Sequence, residues 1–190
     1  MSYTWNTVTR NVSITIALVI CAAVISANVL ASQYRGNDGG EGRDEVGGAD
    51  VADVMALMQL ARRLPYADAD NVFLYGLSRG GMMSFLALKQ GFPAKATAVV
   101  GALFDLEAMN RRAPEMVKMA MVGNDDFARD AAAVLRARSV MNWPEQIGVP
   151  LLIIHGANDQ EVPAVDAMAF ATRLAELRKR YQLIVYADDV

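Results

Sequence analysis

"NVFLYGLSRGGMMSF", residues 71–85, sets one serine among three glycines, between two apolar runs of different character. The first, "NVFLYG", is short and rich in β-favouring residues. The second, "GGMMSFLALKQG", has the length and composition of a helix and is stopped by Gly91. Between them Gly76-Leu77-Ser78-Arg79-Gly80 fits G-x-S-x-G. A strand that turns sharply into a helix holds the residue at the turn in a strained conformation. Glycine at 76 and 80 lets the neighbouring backbone pass without a Cβ clash. The Ser78 hydroxyl then stands clear of the sheet's C-terminal edge. The backbone N–H of Arg79, at the helix N-terminus, is free to face a developing oxyanion. Ser78 is therefore the candidate nucleophile and the Arg79 N–H the candidate oxyanion donor. The five-residue pattern alone is weak, since at average glycine usage it arises by chance in roughly one chain in twenty of this length. Its strand and helix flanks strengthen it.

Outward from this turn, strands alternate with helices. Residues 28–34 ("NVLASQY"), 71–75, 96–101, 149–155 ("VPLLIIH") and 181–187 ("YQLIVYA") read as strands. Residues 50–64 carry Val51, Val54, Leu57, Met58, Leu60 and Ala61 at helical spacing, with Asp50 as N-cap and Pro65 as terminator. Residues 35–50 hold six glycines among charges and read as loop. Residues 105–141 show no strand signal and read as two or three helices. "PAVDAMAFATRLAELRKR" is an amphipathic helix. The pattern predicts a mainly parallel sheet of about five strands covered by helices on both faces. Asp159, just past the strand ending at His155, is placed where an acid could orient an imidazole. The alternative for "GANDQEVP" is a plain turn.

The chain has 190 residues, 54% of them hydrophobic and 21% charged, enough to bury a core in one domain. A net charge of −3 gives a nucleic-acid partner no support. One cysteine (Cys21) and one histidine (His155) exclude an internal disulfide and leave no Cys- or His-based metal site. The acids at 38, 41, 44 and 45 lack the spacing of a calcium loop. No cofactor or metal is expected. Residues 11–34 carry no charge and are flanked by Arg10 and Arg35. They read as a buried helix, roughly over residues 9–26, followed by a core strand. A membrane or signal segment over residues 11–31 is the alternative. Residues 1–27 are thus set apart from a domain over residues 28–190. A cytoplasmic location is expected, with membrane anchoring or export as alternatives. Oligomeric state is left open.

Four motifs together, "YRGNDGGEG" (34–42), "GGADVADV" (47–54), "GLSRGGMM" (76–83) and "LLIIHGANDQEVP" (151–163), resemble the catalytic domain of the prolyl oligopeptidase family, nearest its dipeptidyl aminopeptidase and acylaminoacyl peptidase branch. The resemblance covers residues 28–190. It implies an α/β-hydrolase fold and a serine peptidase acting on short peptides through an acyl-enzyme. By position Ser78 matches the nucleophile and Asp159 the acid. His155 matches a histidine of the acid turn, not the catalytic base. An esterase or lipase of the same fold and a non-catalytic remnant are the competing readings.

The pattern breaks at both ends. A catalytic histidine is expected in the loop after "YQLIVYA", and the sequence stops at Val190. The strand and "HGG"-like loop that would carry a first oxyanion donor are not legible before residue 28. The chain therefore reads as an incomplete hydrolase domain, truncated at both ends. Removing a triad histidine costs on the order of 10⁶ in turnover, so the chain as written is expected to be near-inactive.

Overall fold

The computed structural model describes residues 28–187. In chain order the elements are α1 (Val51–Ala61), β1 (Leu74–Leu77), α2 (Arg79–Lys89), β2 (Thr97–Val100), α3 (Leu106–Arg112), α4 (Pro114–Ala120), α5 (Asp125–Arg129), α6 (Ala131–Arg138), β3 (Leu151–Gly156), α7 (Ala164–Glu176) and β4 (Tyr181–Tyr186). The four strands form one sheet in the order β1-β2-β3-β4, every pair parallel. The α/β fold expected from the alternating pattern is observed, with strand ends within about three residues of those predicted, the usual uncertainty of element boundaries.

Register explains which side chains build the core. Gly76, Val99, Ile153 and Leu183 are lateral partners, so they share one face of the sheet. Val99 and Ile153 are fully buried there. Helices α2 and α7 pack on this face. α7 turns Ala164, Ala167, Phe170, Ala171 and Leu174 inward at helical spacing. Phe85 of α2, Phe104 after β2 and Phe170 of α7 meet with ring centroids 5.7, 5.5 and 5.3 Å apart. All three rings are fully buried, and each contact adds about 0.5–1.5 kcal/mol beyond area burial. The second layer of helices expected on the other face is not among the described residues.

Three expectations are corrected. Residues 28–34 pair with no strand among the described residues. Leu30 instead lies in a groove of about 610 Å³ between α1 and β1, with Met58 and Leu74. Tyr34 takes a positive φ of 56°, which breaks the extended run. Residues 105–141 form four short α-helices, not two or three. Asp105, Asn124 and Asp130 each accept a backbone N–H three residues on, so each starts a new helix. Asp50 precedes α1 as predicted, but its side chain makes no cap bond to that helix; its carboxylate is engaged elsewhere, as described below. The expectations for residues 1–27, including the helix over 9–26 and most of the membrane or export segment, lie outside the described residues. Among the described residues no helix is long and apolar enough to cross a membrane.

The aromatic trio makes a direct test. Phe170→Ala is expected to lower unfolding free energy by about 3–5 kcal/mol, by loss of transfer energy plus a cavity. Val165→Ala, on the exposed side of α7, should change it by less than about 0.5 kcal/mol. Urea titrations of both variants check the contrast.

Candidate active site

β1 runs into α2 through Ser78, whose backbone sits at φ 52° and ψ −118°. A non-glycine residue in that region stores roughly 1–3 kcal/mol of strain and persists only where its surroundings over-determine it. Here the Ser78 N–H donates to Val100 O (2.9 Å), which continues the β1–β2 ladder, while Ser78 O accepts from the Gly81 N–H (2.9 Å), which opens the helix. One residue therefore belongs to both elements. Ser78 is exposed. Arg79 is the first residue of α2, and its N–H meets no acceptor among the described residues.

The glycines divide differently from the expectation. A Cβ on Gly76 would lie 2.2 Å from Gly80 O, so Gly76 is required. A Cβ on Gly80 would meet nothing within 4 Å. The second glycine the turn needs is Gly81, where a Cβ would stand 2.3 Å from that of Ala102. Gly81 lets α2 settle onto the end of β2, a role the five-residue pattern does not contain.

Asp159 lies in the loop after β3, so it and Ser78 follow the C-terminal ends of parallel strands. Its Oδ1 accepts from the N–H groups of Glu161 and Val162, both at 2.9 Å. Its Oδ2 approaches Gly101, just past β2, where a Cβ would be 3.5 Å away. The carboxylate is thus held by one oxygen while the other points along the sheet edge toward the β1 side. His155 is fully buried. Its Nε2 donates to Val162 O (2.7 Å), which requires the Nε2–H tautomer, and stands 3.5 Å from Asp159 Oδ2. Its Nδ1 is buried without a partner among the described residues. His155 therefore braces the acid turn from inside the core and is not presented to the exposed Ser78.

The side chain of Arg79 plays a part the sequence does not disclose. Its guanidinium lies 4.6 Å from the centroid of the Tyr34 ring, donates to both oxygens of Asp44, and reaches Asp50 Oδ2 at 2.9 Å. Asp50 is fully buried and also accepts the N–H groups of Gly47 and Gly48. From the far side Arg138 donates to Val46 O (2.7 Å) and Glu45 O (3.2 Å), and holds Val46 at the unfavourable φ of 53°. The glycine-rich loop is therefore clamped between the Ser78 turn and α6. Burial works to raise the Asp44 pKa. Hydrogen bonds from Arg79, Asn37 and the Val46 N–H outweigh it and bring the group down to about 2. Among the described residues no group of His, Cys, Asp or Glu could hold a metal ion.

Known proteins resemble the chain in sequence and in fold. The sequence profile of the prolyl oligopeptidase family matches residues 20–189. The chain is 27% identical over 160 residues to the uncharacterized peptidase YtmA of Bacillus subtilis, covering 84% of this chain and 62% of that protein. It is 24% identical over 171 residues to inactive dipeptidyl peptidase 10 of mouse, covering 85% of this chain and 21% of the relative. The chain thus spans less than two thirds of either relative. Among solved structures, a Mycobacterium tuberculosis puromycin-hydrolyzing peptidase shares the fold with a TM-score of 0.67 at 23% identity, over 75% of this chain and 22% of its own.

Two outcomes test the site's construction. Gly76→Ala should destabilise the fold by about 2 kcal/mol or more, because backbone must move. Gly80→Ala should be neutral or slightly stabilising, as alanine is the better helix former. Thermal melts of the pair decide it. Asp44 has a folded pKa of about 2 against an ordinary 3.8. Its stabilising contribution should be complete above about pH 4 and fade as pH falls toward 2. Asp44→Asn should remove that part of the stability–pH profile, read by urea unfolding between pH 2 and 5.

Proposed function

The chain belongs to the prolyl oligopeptidase family, and from that premise we propose that it carries the nucleophile and acid of a serine peptidase acting on short peptides. The observation that carries the reading is the strained, exposed Ser78 at a strand–helix turn. Nothing in the local packing needs a serine there, and the strain is concentrated at the one hydroxyl the turn presents.

In this reading Ser78 Oγ attacks the scissile carbonyl, and the Arg79 N–H stabilises the oxygen as negative charge develops. The attack needs a base to take the hydroxyl proton, because an un-ionised serine is a poor nucleophile. His155 is not that base, since its Nε2–H is committed to Val162 O inside the core. Asp159 Oδ2 is the acceptor that would orient an imidazole, and His155, the one histidine of the 190 residues, does not supply it. The leaving amine takes the proton back, and water releases the acyl group from Ser78 by the same steps in reverse. Substrate enters from the C-terminal edge of the sheet, where Ser78 is exposed and Asp159 is half-buried.

The 190-residue chain should label with a fluorophosphonate probe barely above background. Extension with the histidine loop of a relative should raise labelling, and Ser78→Ala in the extended chain should abolish it. Intact mass and peptide mapping read the modified residue. Rapid labelling of the unextended chain that disappears in His155→Ala would overturn the assignment of His155 to the core. Labelling that survives Ser78→Ala would overturn the nucleophile.

A further inference from the structure

The glycine-rich loop before α1 carries Asp38-Gly39, the one Asp-Gly pair in the 190 residues, and the sequence has no Asn-Gly. Residues 37–40 close a tight turn. The Gly40 N–H donates to Asn37 O (2.8 Å), and both central residues take a positive φ, 49° at Asp38 and 81° at Gly39. That is the type I′ pattern, in which Asp-Gly is favoured. The other acids nearby are held. Asp44 accepts from Asn37 (2.9 Å), from the Val46 N–H (3.0 Å) and from Arg79 (2.8 Å), and Glu45 accepts the Ala49 N–H (2.8 Å). The Asp38 carboxylate accepts no hydrogen bond among the described residues, and the Gly39 N–H meets no acceptor among them. Both residues are exposed, and a Cβ on Gly39 would meet nothing within 4 Å.

We propose that Asp38-Gly39 is a site of spontaneous aspartate isomerisation. The Gly39 nitrogen attacks Asp38 Cγ, its proton and the carboxyl hydroxyl leave as one water, and a five-membered succinimide closes. Water then adds to either ring carbonyl. Breaking the bond from nitrogen to Cγ restores aspartate. Breaking the bond from nitrogen to the backbone carbonyl carbon leaves isoaspartate, with the chain routed through Cβ and Cγ. One water is lost and one is taken up, so the mass is unchanged and no other reactant is needed. The step requires a free carboxyl, an unengaged nitrogen and room to rotate. Glycine supplies the last by lacking a Cβ. Asp44, bonded on both oxygens, and Asp50, fully buried, meet none of these conditions. The product adds one main-chain atom inside a loop closed by the Gly36 N–H on Glu41 O (3.1 Å). That loop braces the Ser78 turn through Asp44 and Arg79. The modification therefore falls on the support of the turn and leaves Ser78 itself unchanged.

The test incubates the folded 190-residue chain near neutral pH in heavy-oxygen water, beside a synthetic peptide of residues 34–42, and then digests the chain with trypsin. The tryptic peptide of residues 36–43, "GNDGGEGR", holds Asp38 as its only aspartate. It should take up heavy oxygen and yield a separately eluting isomer, which electron-transfer fragmentation places at position 38. Its rate should lie within about tenfold of the free peptide's, as for a loop tip that opens at little cost. Peptides holding Asp44, Asp50 and Asp159 should gain neither label nor isomer. Asp38→Glu should lose the signal, because its ring would need six members. A folded chain that stays unmodified at position 38, whether or not the free peptide reacts, overturns the proposal. Uptake at Asp44 or Asp50 as fast as at Asp38 overturns the selectivity on which it rests. Uptake that persists in Asp38→Glu would assign the reaction to Asn37 and overturn it as well.

Discussion

The backbone of Gly80 passes so close to Gly76 that no β-carbon fits between them. That single approach joins strand to helix without a spacer, and much of the rest follows. With no room to relax, Ser78 carries the whole reversal in its own φ and ψ. α2 leaves the turn at an angle that presses Gly81 onto Ala102 and sends Phe85 toward Phe104 and Phe170. The core and the exposed hydroxyl are two consequences of one steric constraint.

A strained turn persists only if neighbours oppose its relaxation. The loop over residues 35–50 supplies part of that opposition through Arg79. Fully burying the Asp50 carboxylate would be costly alone, and the guanidinium with two glycine N–H groups offsets the cost. The same loop is gripped by Arg138 from α6. The helices after β2 are thereby coupled to the turn through a loop that has no regular structure of its own. Its positive φ values at Gly36, Gly39, Gly42 and Gly47 explain why glycine recurs there.

On the acid side a similar division holds. The Asp159 carboxylate is oriented by two backbone donors of its own turn, and that turn is braced by the buried His155. One oxygen of the carboxylate serves the loop, and the other lies beside Gly101 and His155 Nε2. The single histidine is expected in the acid turn and not as the base, and its burial keeps it away from the exposed Ser78.

Strands 71–75, 96–101, 149–155 and 181–187, the helix after Ser78 and the placing of Ser78 and Asp159 past strand ends were legible in the sequence. Each depends on a local period or on a turn residue a few positions away, and such signals survive without knowledge of the fold. The failures have a common cause. Arg79 meets carboxylates 35 and 29 positions distant, and Arg138 meets a carbonyl 92 positions away. Asp50 looked like a helix cap because capping is what an aspartate does locally; a distant cation drew its carboxylate elsewhere. "NVLASQY" has strand composition, yet composition does not supply a neighbouring strand. Sequence by itself determined the alternation of elements and the chemistry at their ends, because these are short-range properties of the chain. Tertiary structure alone decided which glycines were indispensable, which charges were paired and whether the histidine faced solvent or core, because those depend on the close approach of segments far apart in the chain.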